Sequence, residues 1–287
     1  MSVRAHGIRS EVFTVHKTDI SWSSENADQF WRMADTLQEQ TVERAGELFS
    51  FVETASPEQL NAILIQYRYF TVYYIPDIAI LVARLKDGKL RSFMADVLFD
   101  ELGRGDPAGA HPRLYDDFLR SLCSQNEELD TLALADNIDM LDGTRTKLVN
   151  NNTSNAYAVG LRGMGGECVC QIYLAKLYEH VIKNPYVQQN RASIDWKFWD
   201  LHIGEHDIEH RLRTRQLINE EIIQQGGDAV TDLGRGYQES MTSWGLFWSN
   251  IFASIRSTDV KRTRVAPSCN FQLQAAPVGA ADSVALS

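Results

Sequence analysis

The stretch Trp199-Asp200-Leu201-His202-Ile203-Gly204-Glu205-His206-Asp207-Ile208-Glu209-His210 packs three histidines and four acids into twelve residues of a chain that has seven histidines in all. Imidazoles and carboxylates at helical spacing are how a helical bundle fixes a first-row transition metal in its interior. The bland alternative is a solvated, charged helix face. On an ideal helix His206 lies about 40° from His202, Glu209 about 20° to the other side, His210 about 80° and Asp207 about 140° away. A regular helix thus offers His202, His206 and Glu209 as one ligand triple. A π-bulge, frequent at functional sites, would absorb one residue and swing Asp207 and His210 back towards His202. Both triples stay open on spacing alone.

Two further positions carry acids where acids are costly or well placed. Glu101 and His111 bracket Leu102-Gly103-Arg104-Gly105-Asp106-Pro107-Ala108-Gly109-Ala110, a glycine-rich turn that can fold both side chains towards one point. Asp100 and Asp106 beside them could equally be caps. Glu167 follows Gly165-Gly166 inside an apolar run, and an acid buried there needs an ionic partner or a metal. Pairing with Arg162 is the structural alternative.

These positions need helices, and the pattern is helical almost throughout. Ser23-Ser24-Glu25 reads as a helix start, and Ser56-Pro57-Glu58 as a second, with Ser at the cap and Pro at the first position. Pro76 kinks or restarts that helix. A third runs from about Lys89 to Leu102 and stops at the glycines. His111-Pro112 opens another through Leu122, and residues 126 to 145 read as a short helix and a loop. Ala156 to Ile182 is a long apolar helix softened at Gly163-Met164-Gly165-Gly166, and Pro185 to Ser193 a polar connection. The histidine-bearing helix spans 194 to 225 and ends at Gly226-Gly227. The last, about 228 to 254, carries Tyr237, Met241, Trp244, Phe247, Trp248, Ile251 and Phe252 on one face, as core or as dimer contact. No convincing strand or internal repeat is present. The expectation is one all-α bundle of seven or eight helices over 23–255, with a weakly ordered segment 1–22 and a flexible tail 256–287.

A net charge of −10 and a pI near 5.2 argue against nucleic acid as a main partner. Cys123, Cys168, Cys170 and Cys269 are irregularly placed and suggest no disulfide framework. Cys168 and Cys170 diverge by about 200° on a helix, so a buried structural role suits them better than shared ligation. The N-terminus lacks a secretory pattern, and the apolar run from Tyr69 to Leu85 is interrupted by Pro76, Asp77 and Arg84. A cytoplasmic location without membrane contact is the expectation.

An aromatic-rich helix from Tyr67 to Leu85 precedes Asp100-Glu101-Leu102-Gly103-x-Gly105 and His111-Pro112-x-Leu114. A lone mid-helix Glu167 follows, and then an aromatic-x-x-His segment ending in Asp207-x-x-His210. This succession resembles the haem-oxygenase-like di-metal oxidases over roughly residues 30 to 225. The resemblance implies two Fe(II) per chain held between core helices, with dioxygen as co-substrate. It implies Glu101, His111, Glu167 and His202 as ligands, and Asp207 and His210 if the bulge forms. The family pattern places Asp four residues after the first His, whereas Asp207 lies five after His202. Bulging would keep Asp207-x-x-His210 intact; otherwise His206 and Glu209 take over.

Three carboxylates and three imidazoles suit iron or manganese. Two ferrous ions can together reduce dioxygen to a peroxo species. Phe70, Tyr73, Tyr74 and Trp199 would keep water out. Arg68, Arg104 and Arg162 could meet a small polar substrate. The reading is an oxidoreductase acting on a small amine or amino-acid-derived substrate in a biosynthetic pathway, by N-oxygenation ahead of oxidative C–C cleavage or decarboxylation. It would take electrons from an external donor and work as a homodimer. A metal-free relative, such as a thiaminase-like hydrolase, and a helical interaction protein are the rival classes.

Overall fold

The computed structural model describes residues 20–22, 26–122, 133–257 and, for the backbone only, 262–263. Its architecture is all-α, as the periodicity implies. Helix α1 (Ala27–Arg44) is capped by Asn26, and α2 (Gly46–Val52) follows after one residue. The start expected at Ser23-Ser24-Glu25 lies outside the described residues. Helix α3 (Pro57–Arg84) begins with a capping box between Ser56 and Gln59 and has Pro57 at its first position. It continues through Pro76 instead of restarting, because burial along its length outweighs one missing backbone hydrogen bond.

The turn between α4 (Lys89–Glu101) and α5 (His111–Leu122) decides where two site residues lie. Gly103, Arg104 and Gly105 all have positive φ, at 82°, 53° and 93°. A Cβ on Gly103 would sit 2.2 Å from the Asp106 carbonyl oxygen, so only glycine closes this turn. Asp106 then caps the short turn Pro107–Gly109 by accepting from the Ala108 amide. Glu101 thereby ends one helix and His111 begins the next.

After α6 (Ala135–Val149), a full helix where a short one and a loop were expected, the middle helix proves composite. It comprises α7 (Asn155–Ala158), a π-helical stretch Val159–Met164, α8 (Gly165–Glu167) and α9 (Cys170–Val181). The polar connection contains its own helix, α10 (Pro185–Asn190), capped by Asn184, whose amide also bonds the carbonyls of Val52 and Ala55.

The histidine-bearing segment is not one helix. It divides into α11 (Lys197–His202) and α12 (Glu205–Glu221), separated at Ile203-Gly204. No π-bulge occurs there; among the described residues the π-helical stretch lies in the middle helix instead. Gly226 and Gly227, both with positive φ, lead into α13 (Asp228–Arg256).

The core is aromatic. Trp244 and Trp248 of α13 pack on Tyr67, Tyr173 and Phe70, so the α13 face is core, with Phe252 at its edge. Truncating a tryptophan so packed costs on the order of 3–5 kcal/mol. Trp22, in the segment expected to be loose, is 1 % exposed, packs at a tilt against Phe30 and donates to Gln238. The expected tail contributes one antiparallel pairing, Arg262–Thr263 against Ala133–Leu134. No described helix is long and apolar enough to cross a membrane.

Candidate metal centre

Five helices converge on one narrow cavity. Its lining includes Glu101 from α4, His111 from α5, Glu167 from α8, His202 from α11, and Asp207 and His210 from α12. Donor atoms of Glu101, His111 and His202 all lie within 4.8 Å of one another. Across the cavity His210 Nδ1 is 3.3 Å from Glu167 Oε2. The remaining wall is Tyr67, Phe70, Thr71, Tyr74, Gly166 and Cys170. Tyr74 donates its hydroxyl to Glu167 Oε1. That approach depends on Gly166, where a Cβ would fall 2.4 Å from the Tyr74 oxygen.

The electrostatics of the cavity follow from burial and crowded carboxylates. Burial, helped by neighbouring His111, depresses His202 to about 3, so its ring is neutral. Its Nδ1 donates to the Phe198 carbonyl at 2.7 Å, which leaves the Nε2 lone pair free for a metal. His111 Nδ1 is buried and makes no hydrogen bond among the described residues; Glu101 Oε1 is 3.1 Å away but out of line. Burial, with the carboxylates of Glu167 and Glu101, pushes Asp207 up to about 8. Burial opposes charging of His111 and His210, yet surrounding carboxylates outweigh it and raise both. Three acids crowded together repel one another, and bound cations relieve that cost. The donor set and its free lone pairs therefore fit iron.

The profile of a haem-oxygenase-like family described as iron-containing redox enzyme matches residues 62–240. The chain belongs to this family. A CADD-like protein of unknown function from Nostoc punctiforme is similar in structure, with a TM-score of 0.57 and 15% identity, covering 79% of this chain and 100% of the other. A TenA homologue from P. horikoshii gives a TM-score of 0.55 at 13% identity, covering 79% and 97%. Both likenesses concern the fold, which is the all-α haem-oxygenase-like one. No curated protein matches the sequence.

Within this iron-containing redox family the arrangement of the last segment departs from both spacings considered above. The Ile203-Gly204 break, not a bulge, resets the helical phase, so Asp207 and His210 face the cavity and Glu209 is exposed. His206 turns aside and donates from Nε2 to Asp100 Oδ2 at 2.5 Å. Asp100 is a residue whose role the sequence hid. It is 7 % exposed, also accepts from Arg104, and lies 3.9 Å from His210 Nε2, so it braces α12 against α4 instead of capping a helix. Asp100, His206 and His210 are mutually close enough for ligation. Arg104 and His206 nevertheless hold the Asp100 carboxylate below the usual range against the effect of burial, so its charge is already matched.

Other expectations need correction. Tyr73 and Trp199 do not line the cavity: Tyr73 donates to Asp142, and Trp199 packs on Phe118 and Tyr178. Cys168 is buried, but Cys170 lines the cavity with its sulfur 3.3 Å from the Tyr67 hydroxyl. Arg162 pairs with Asp77, not Glu167; Arg68 pairs with Asp116 and Arg104 with Asp100. Cys123 and Cys269 lie outside the described residues.

Proposed function

We propose that this protein is a non-haem di-iron oxidase that uses dioxygen to N-oxygenate a small amine or amino-acid-derived substrate. The observation that carries the reading is the convergence of three carboxylates and three imidazoles, from five helices, on one aromatic-walled cavity. Glu101, His111 and His202 would hold one ion, and Glu167, Asp207 and His210 the other. Two ferrous ions there would supply the redox capacity to reduce dioxygen, which side chains lack.

The chain's own residues do the rest. The Phe198 carbonyl fixes the His202 tautomer. The Tyr74 hydroxyl steadies Glu167 and leaves Oε2 facing His210. Tyr67, Phe70 and Tyr74 exclude water from the reacting end of a substrate. Burial and the nearby carboxylates push the Cys170 thiol up, so without a metal it stays neutral beside the Tyr67 hydroxyl. Overall, R–NH₂ + O₂ + 2 e⁻ + 2 H⁺ would give R–NHOH + H₂O: one oxygen atom enters the substrate, the other leaves as water, and an external donor supplies both electrons.

Anaerobic reconstitution with Fe(II), followed by oxygen-consumption assays with amines, amino acids and fatty acids, tests the reading. Two irons per chain and a hydroxylamine product support it. Release of CO₂ or a shortened aldehyde would move the reaction to oxidative cleavage at the same site. No iron binding, or no oxygen consumption with any class, defeats it.

A further inference from the structure

One reactive pair on the cavity wall is no part of the metal donor set. Cys170 Sγ lies 3.3 Å from the Tyr67 hydroxyl oxygen, and both residues line the cavity beside the six donors. Tyr67 belongs to α3 and Cys170 opens α9, so the contact joins two helices across the wall. Cys170 is a free thiol and only partly buried. Cys168, also free, is 3 % exposed and does not line the cavity.

The Tyr67 ring is held from several sides. Phe70 stacks on it at 5.7 Å with the planes 12° apart, Trp248 at 6.1 Å and 7°, and Tyr115 meets it edge to face at 5.4 Å. In so packed a core the ring cannot turn its hydroxyl away from the sulfur without displacing neighbours. A thiol beside a centre that reduces dioxygen is open to oxidation, and what it then joins depends on what lies next to it. Here that neighbour is a phenol, whose ring carbons flanking the hydroxyl are the positions open to sulfur once it is oxidised. In the resulting thioether, sulfur and oxygen sit on adjacent ring carbons, so they remain the near neighbours they already are.

We infer that Cys170 and Tyr67 become joined by a thioether, from Sγ to the ring carbon beside the hydroxyl, when the iron-loaded protein meets dioxygen. The proposal rests on the di-iron reading for the reduction of its oxidant, O₂. The S–H bond and one ring C–H bond break, and one C–S bond forms. Both hydrogens, each with its electron, pass to O₂ and give H₂O₂, while the phenol keeps its hydroxyl. No external donor enters this step. The link fastens α3 to α9 at the cavity wall and removes a thiol that would otherwise stay exposed to the oxidant.

The test is intact-mass analysis of the full chain, denatured and treated with a thiol reductant so that no disulfide contributes. Protein prepared without iron is loaded anaerobically with Fe(II) and then given oxygen; parallel samples receive iron alone or oxygen alone. Expected only with both is a loss of about 2 Da, the two hydrogens, with the peptides of Tyr67 and Cys170 recovered as one covalent fragment. Cys170→Ser and Tyr67→Phe should abolish the loss, and Cys168→Ser should keep it. These substitutions nearly conserve side-chain size, and helix content and iron per chain are checked for each. Gain of oxygen at Cys170, a mass loss that persists in Cys170→Ser, or linkage that forms without iron overturns the thioether. Protein that takes up iron, consumes oxygen and keeps its mass overturns it too, and leaves the oxidase reading standing. A chain that takes up no iron, or ignores oxygen once loaded, defeats both.

Discussion

Loading iron should release protons, and the structure says how many and from where. In the metal-free protein Asp207 stands at about 8, against an ordinary value of 3.8. At pH 7 it is thus about 90% protonated, and a ligating carboxylate must give that proton up. At pH 9 only about 10% remains to be released. His111 and His210, raised by the surrounding carboxylates, add to the release around neutrality, while His202 at about 3 adds nothing. The assay is anaerobic calorimetry of Fe(II) binding in buffers of differing ionisation enthalpy, which gives the proton count directly. Expected is at least about 0.8 proton more released at pH 7 than at pH 9. Asp207→Asn should remove about that amount from the pH 7 value. The sign also fixes a stability trend. Since the folded metal-free state binds the Asp207 proton more tightly than the unfolded chain, its stability falls as pH rises from about 4 to about 8. Iron should reverse that fall. Proton release that is flat or larger at pH 9, or unchanged in Asp207→Asn, would refute the reasoning.

Substitution should separate ligands from braces. Glu101→Ala and His202→Ala are expected to lower iron per chain while circular dichroism keeps helix content near wild type. Asp207→Ala should lose iron, whereas His206→Ala, which removes a brace between α12 and α4, should keep both ions, read by metal content and competitive chelation. Gly166→Ala forces the Tyr74 ring away from Glu167 and should cost about 1–3 kcal/mol in denaturant unfolding, together with weaker iron binding.

How much of this the sequence disclosed depended on how local each signal was. Glu101 and His111 were legible because a run of positive-φ residues, two of them glycines, forces their helices to meet. Glu167 stood out as an acid in an apolar run. The last segment was ambiguous because periodicity shows that a residue is surplus but not where the phase resets. A bulge and a break at Ile203-Gly204 leave the same sequence trace, and both turn Glu209 away from the cavity, where it is exposed. Contacts between distant segments were not legible at all. Asp77 with Arg162, Tyr74 with Glu167, and Asp100 with His206 are 85, 93 and 106 positions apart, and nothing local marks either partner. Trp22 was misjudged for the same reason, since its partners Phe30 and Gln238 become neighbours only after α13 packs.

The most direct measurement is anomalous diffraction at the iron edge from crystals of protein loaded with Fe(II) without oxygen. Two peaks are expected inside the cavity, one against Glu101, His111 and His202 and the other against Glu167, Asp207 and His210. A single peak, peaks placed at Asp100 and His206 instead, or an empty cavity beside protein that had taken up iron elsewhere would contradict a di-iron centre built from these six side chains.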